Sequence, residues 1–300
     1  MRIEITSDAA RFMHDVRPLL RRDPLRHTVI ATVLVNTVNG RSGLPTLFLS
    51  VRDDADQVVG IAQCTDGAAY LGELPAHSIS AVVDAFATHA IALRSVEGGH
   101  ADAVAFATRW SETTGGTYRR RHSARLFRLD TLRVPAAPGA PRQATVDDVD
   151  TCIAMIEEFR VETDGPRRLD EATVRRRVEA ASTWLWEHDG LPVTLVARQP
   201  AVLGWARIGP VYTPPLFRAN GFASALTATV AGRIRAEGAD ACLFTDLANP
   251  TSNKIYQRIG FEPVRDFVHY TLSGAGVDQA NTPRPVGRRA TNPASGPRRR

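Results

Sequence analysis

The chain has 300 residues and a mass of 32.7 kDa, twice the usual domain length of roughly 150 residues, which points to two domains with a large core. Hydrophobic residues make up 43%, charged residues 23% and aromatic residues 7%, which excludes a coiled coil and a disordered chain. The net charge of +5 sits in the last 26 residues, where six arginines face one acid, Asp278; the rest balances 31 basic against 31 acidic residues. A basic face built into the folded body is thereby excluded, and a nucleic-acid partner is not expected.

Cys64, Cys152 and Cys242 stand far apart, with no paired spacing and no histidines beside them, so neither a disulfide framework nor a metal site is suggested. The N-terminus carries Glu4, Asp8 and Asp15 and has no signal-type apolar core, and the longest apolar stretch, Thr28–Val38, is about half a membrane span. These features predict a cytoplasmic protein with no membrane partner. One lysine beside 36 arginines suggests a GC-rich bacterial genome.

In chain order, Val58–Gln63 (VVGIAQ) has a strand pattern, a helical stretch starts near Ser78, and Ala124–Leu129 has a further strand pattern. Val134–Arg142 (VPAAPGAPR) breaks the periodicity with three prolines and a glycine, which marks a linker. Beyond it the pattern returns. Val202–Arg207 matches Val58–Gln63 at an offset of 144, the helix starting at Phe222 matches the one near Ser78, and Phe267–Leu272 matches Ala124–Leu129 at an offset of 143. Three matches in register predict a tandem duplication. The expected organisation is a domain over 1–132, a linker over 133–142, a second domain over 143–272 and a disordered Arg/Pro-rich tail over 273–300.

Within the second half, Thr145 with Asp148 three residues on caps a first helix that presents Val149, Cys152, Ile153 and Ile156, and Leu169–Ala181 has helical spacing. Strands are predicted over Thr183–Glu187, Pro192–Ala197 and Ala201–Ile208, the first two joined by a tight turn at Asp189-Gly190. Helix Phe222–Ala236 and strand Cys242–Thr245 follow. Asn249 as cap, Pro250 at the first position and Gly260 past the end then bound a helix over Pro250–Ile259.

Two segments carry chemistry. Arg218-Ala219-Asn220-Gly221-Phe222-Ala223 stands between strand and helix, where small residues let backbone N–H groups converge on an anion at the positive end of the helix dipole. Such a segment suits a phosphate or pyrophosphate, although a glycine turn with a surface arginine has the same pattern. Downstream, Asn249, Asn253 and Tyr256 fall at i, i+4, i+7 on one helical face. Two amides and a phenol could hold a polar chain and deliver a proton, or serve as a cap, an exposed amide and a core aromatic.

With these two segments in this order, the stretch from about Arg142 to Leu272 resembles the GNAT superfamily of acetyl-CoA-dependent N-acetyltransferases. The resemblance implies an α/β fold of two tandem GNAT-like domains, each a mixed β-sheet flanked by helices. It implies Val211, Tyr212 and Thr213 along the pantetheine of acetyl-CoA, and Arg218, Ala219, Asn220, Gly221, Phe222 and Ala223 around its pyrophosphate. Asn249 and Asn253 become cofactor-side amides and Tyr256 the general acid that protonates the leaving thiolate. The implied reaction is direct acetyl transfer in a ternary complex to an amine of a small molecule or peptide. No acid occurs on the strand where many members carry a glutamate base, so Glu187 and Asp246 are the candidates to act through water, against plain readings as a surface-turn acid and a loop-capping acid. The missing glutamate motivates an alternative, a catalytically weak CoA-binding regulatory or scaffolding protein. At the matching place the first half reads Glu73-Leu74-Pro75-Ala76-His77-Ser78, with neither the arginine nor the glycine, and His27, His77 and His100 are too scattered to form a ligand set.

Overall fold

The computed structural model describes residues 1–41, 43–89, 91–163 and 170–274. The expected tail therefore lies outside the described residues from 275 onward. The same order of elements occurs twice. The first half runs β1 (Arg2–Thr6), α1 (Ala9–Arg22), α2 (Thr28–Val38), β2 (Thr46–Arg52), β3 (Val58–Thr65), β4 (Ala68–Leu71), α3 (Ile79–Thr88), β5 (Ser95–Gly99), α4 (His100–Thr114) and β6 (Thr117–Leu129). The second runs β7 (Ala140–Gln143), α5 (Val149–Glu162), α6 (Glu171–Glu179), β8 (Thr183–His188), β9 (Leu191–Arg198), β10 (Trp205–Tyr212), α7 (Phe222–Ala236), β11 (Asp240–Asp246), α8 (Pro250–Ile259) and β12 (Phe261–Ser273).

Local chemistry explains most boundaries. The Thr145/Asp148 capping box forms and leads into α5, and Asp189 and Gly190 both take positive φ in the β8–β9 turn. Gly260 ends α8 at φ +106°, and a Cβ there would lie 1.8 Å from the carbonyl oxygen of Thr131, so only glycine lets the chain after β6 pass. One strand differs from the sequence pattern. Instead of Ala201–Ile208, the chain turns through Leu203 and Gly204 at positive φ, and β10 starts at Trp205 and continues through Gly209-Pro210 to Tyr212. β7 starts inside the proline-rich segment; its Pro141 is tolerated because β7 is the sheet's outermost strand, paired only with β8.

All twelve strands form one sheet, in the order β1-β2-β3-β4-β5-β12-β6-β11-β10-β9-β8-β7. Only β4/β5 and β10/β11 are parallel. The halves exchange their last strands: β12 pairs with β5, β6 pairs with β11, and β6 and β12 pair along their lengths, from Phe261↔Leu129 to Ser273↔Thr117. Each exchanged strand fills the other half's core. Val268, Tyr270 and Leu272 of β12 pack with Val82, Phe86 and Phe106 of α3 and α4, whereas Phe127 and Leu129 of β6 pack with Phe222, Leu226 and Ile259 of α7 and α8. On the opposite face α1 and α2 cover Phe48, Ile61, Leu126, Cys242 and Phe267, and α5 and α6 cover Leu185, Leu195 and Tyr212.

The repeat is therefore real in topology but differs from the sequence register in one place. Helices α3 and α7 correspond, as do β6 and β12. Val58–Gln63, however, lies in the third strand of its half, whereas Val202–Arg207 spans the turn into the fourth. The glycines of the shared V-x-G-x-A pattern serve different needs: a Cβ on Gly60 would lie 2.9 Å from Pro75, whereas Gly204 has open space around it and takes φ +85° in the turn.

Candidate active site

The parallel pair β10/β11 opens toward its carboxyl end. Pairing runs from Trp205↔Asp240 to Ile208↔Leu243 and then stops. Beyond it Val211 and Tyr212 pair only with Val196 and Leu195 of β9, while β11 continues with β6 to Asp246↔Ala124. Gly209-Pro210 sits where the strands part, and proline offers no N–H to continue the ladder. The facing edges of the two strands make no ladder pairing there, which leaves a slot between them.

The loop after β10 leads to the start of α7. Arg218 donates from Nε to the carbonyl of Thr213 (2.9 Å) and from Nη2 to both carboxylate oxygens of Glu162 (2.7 Å each), and its guanidinium stands 5.8 Å above the Tyr212 ring. It is thus a brace for the loop, tied to α5. Asn220 donates to the carbonyls of Phe217 and Arg218, Thr213 bonds Thr194 at 2.9 Å, and Ala219 and Gly221 take φ of +67° and +82°. Phe222 is buried and anchors the helix start, with Ala223 half-buried after it. A Cβ on Gly221 would find nothing nearer than 3.8 Å, so open space lies beside it, and no side chain caps the first-turn N–H groups of α7.

That space is a hollow of about 320 Å³ lined by Gly221, Ser224, Ile259, Val134 and two arginines, Arg133 and Arg258. Neither arginine side chain has a hydrogen bond or ion pair among the described residues. Sequence reasoning missed both. Arg133 arrives only because its N–H binds the carbonyl of Ile259 (2.8 Å), which carries the inter-half segment past the α7 terminus, and no local motif announces that path.

Helix α8 supplies the other predicted group. Asn249 caps its own helix, its Oδ1 accepting from the Ser252 N–H (3.0 Å). Asn253 donates to the carbonyls of Asp246 and Asn249, and its Oδ1 is buried with no partner. Tyr256 is buried in the core of the second half, 6.2 Å edge-on from Phe261, and burial pushes its phenol up to about 12. The Tyr212 hydroxyl turns away to Glu158 and Glu162 (3.1 and 3.0 Å), and its burial beside these carboxylates raises it well above an ordinary phenol.

The two acids part company. Asp246 ends β11 at the mouth of the slot, where it accepts from the Ala248 N–H at 2.8 Å. Glu187 lies on β8, separated from β10 by β9, and accepts from Arg142 at 2.6 Å. Arg142 also grips Asp148 with two bonds of 2.7 and 2.8 Å, which hold that carboxyl down at about 2. Glu187 thus belongs to an edge clamp. His188, next to Glu187 in the chain, tilts over the Phe222 ring at 5.3 Å.

In the first half the corresponding place is closed. Glu73 takes Arg22 at 2.9 Å and faces buried His27 at 3.7 Å, and burial followed by the Arg26 charge lowers that imidazole to about 4, so it is neutral. A Cβ on Gly98 would lie 2.9 Å from Leu71, which fills the gap between β4 and β5.

Residues 193–269, which contain β9, β10, the loop, α7, β11, α8 and most of β12, match the family of FR47-like proteins. No curated protein matches the sequence significantly. Among solved structures, a GCN5-related N-acetyltransferase from Sphaerobacter thermophilus is similar at 16% identity and a TM-score of 0.56, covering 93% of this chain and 98% of that one. A tandem GNAT protein from the clavulanic acid biosynthesis pathway gives 12% identity and 0.56, covering 93% and 100%. A Drosophila protein gives 10% identity and 0.64, covering 90% and 98%. Among the described residues no helix is long and apolar enough to cross a membrane. With the doubled element order, the parted strands and this coverage, the chain has the fold of tandem GNAT acetyltransferases across both halves, and its second half carries the FR47-like match.

Proposed function

We propose that the chain is an acetyl-CoA-dependent N-acetyltransferase whose second half binds the coenzyme and transfers its acetyl group to an amine. The observation that supports this best is the conjunction of the slot between β10 and β11 with the open N-terminus of α7 at its end. The residues fit a pyrophosphate thioester. Orphan N–H groups and the helix dipole meet the charge, the unpartnered Arg133 and Arg258 add to it, and a pantetheine chain fits along the unpaired edges beside Val211 and Thr213. Arg218 acts by bracing the loop against Glu162. Tyr256, protonated at any neutral pH, donates a hydrogen bond to the sulfur and gives it the proton as the C–S bond breaks. The amine nitrogen forms the new C–N bond, and its proton leaves through water toward Asp246 at the slot mouth. Calorimetric titration with acetyl-CoA, together with CoA release across a panel of amines, tests the reading. Binding without release from any amine supports the alternative of a CoA-binding regulatory protein, and absence of binding refutes both.

A further inference from the structure

The exchange of last strands sets titratable side chains from both halves in one row across the sheet. His122 of β6 and His269 of β12 stand directly opposite each other, and their rings stack with 4.9 Å between centroids and 23° between planes. Beyond His269 stands its register partner on β5, Glu97, with a carboxylate oxygen 3.5 Å from Nδ1. On the other side β6 runs beside β11, where Asp246 pairs with Ala124 and the Leu247 N–H binds the carbonyl of Ser123 at 2.8 Å. At even spacing from Leu126, Phe267 and Cys242, the residues His122, His269 and Asp246 share the face that α1 and α2 cover, opposite α7. The diagonal step from Asp246 to His122 on that face is about 7 Å. The row therefore runs from the slot mouth across the strand junction: Asp246, His122, His269, Glu97.

Its members differ in access. Asp246 is open to solvent, both imidazoles are half-buried, and His269 Nε2 is buried with no partner, so the row is one hydrogen-bonding atom short of complete. Two imidazoles in contact repel each other when both carry a proton, and Glu97 gives a proton on His269 a counter-charge at 3.5 Å. His122 is thereby left neutral. Burial first and His269 second lower it from the ordinary imidazole value, Glu97 and Asp246 oppose this, and Arg121 beside it on β6 adds to the lowering. By ordinary values an imidazole exceeds a carboxylate as a proton acceptor by about two pKa units.

We propose that His122 is the general base of the transfer, taking the proton of the attacking amine across one water at the Asp246 carboxylate, with His269, paired to Glu97, as the positioning residue behind it. This rests on the acetyltransferase reading above and gives the amine proton its destination. The nitrogen lone pair forms the C–N bond, the C–S electron pair leaves with sulfur and takes the Tyr256 proton, and the amine proton ends on His122. His122 then returns a proton to solvent and Tyr256 recovers one, so the sum is an amide and the CoA thiol. The first half, closed to coenzyme itself, supplies the base from its exchanged strand.

The test follows the single-turnover rate of acetyl transfer against pH in the full chain, with enzyme in excess over acetyl-CoA and the amine of the panel above that releases CoA fastest. In the wild type the rate should fall on the acid side with a midpoint below the ordinary imidazole value of about 6.5. His122→Gln should lose that limb and lower the rate by roughly 10²–10⁴, with acetyl-CoA affinity by calorimetry unchanged. His269→Asn separates a base from a packed ring: with the neighbouring charge gone, the midpoint should move to higher pH. Should His122→Gln fail to fold, the shift in His269→Asn decides alone. The proposal is overturned if His122→Gln keeps more than about a third of the wild-type rate, if the midpoint in His269→Asn does not move, or if acetyl-CoA binds and no amine is turned over. The first two results leave the acetyltransferase reading standing. If acetyl-CoA itself does not bind, that reading falls and takes this one with it.

Discussion

Gly221→Ala separates binding from folding more cleanly than any other single change. Gly221 has φ +82°, so an alanine there meets the left-handed penalty of ~1–2 kcal/mol. It meets no clash, because the nearest atoms to its Cβ are 3.8 Å away. In a chain of this size a loss of ~1 kcal/mol lowers the melting temperature by roughly 2 °C. The added methyl, however, points into the hollow where a phosphate oxygen must approach the α7 amides. Losing one charge-assisted bond costs ~1.5–3 kcal/mol, which corresponds to about ten- to hundred-fold in affinity. Gly238, at the far end of α7 with φ +81° and open space around it, supplies the control. Calorimetry with CoA should show weak binding for Gly221→Ala and wild-type binding for Gly238→Ala, with similar melting shifts. Equal affinities in the two variants would refute the assignment of the loop to phosphate.

Tyr256→Phe should keep CoA affinity within a few-fold and lower kcat by roughly 10²–10⁴, and because the phenol is pushed up to about 12, the wild-type kcat should hold flat to above pH 10; a wild-type rate in the Phe variant with chemistry rate-limiting refutes the donor role. If Arg218 braces the loop, Glu162→Gln weakens CoA binding a few-fold in the same direction as Arg218→Ala, whereas an arginine that contacted phosphate directly would bind better once freed; titration of both variants decides. Asp148→Asn should cost about 1–2 kcal/mol at pH 7 by loss of the cap on α5. Since the carboxyl is held down at about 2 in the folded state, its contribution is fully present above an ordinary pKa near 4 and is lost as pH falls toward 2, so urea midpoints of wild type and variant should converge between pH 4 and 2.

Much of the second half was legible because its signals are local. The capping box at Thr145, the Asp189-Gly190 turn, and the Asn249, Pro250 and Gly260 limits of α8 each act within a few residues, and each forms where the sequence places it. The glycine turn into α7 was legible for the same reason. What escaped is non-local. The partners of Arg218 and Tyr212 come from α5, some fifty residues away, and Arg133 reaches the α7 terminus only through the path after β6. Glu187 stands on β8, with β9 between it and β10, and its partner Arg142 lies forty-five residues away in sequence. Leu203 at positive φ shows why β10 starts late: a hydrophobic residue in a tight turn gives no turn signal.

The exchanged last strands have a consequence for the order in which the protein can fold during synthesis. When the ribosome has completed β6, the edge of β5 is still bare, and the first core lacks Val268, Tyr270 and Leu272, which are among the last residues of the body to be made. The usual N-terminal-first sequence is therefore blocked. The nascent chain must carry an unpaired inner strand through the synthesis of more than a hundred further residues, a template for faulty pairing with other chains. The closing event is the insertion of β12 between β5 and β6, a long-range step that finishes both cores at once and makes the chain a slow folder for its size.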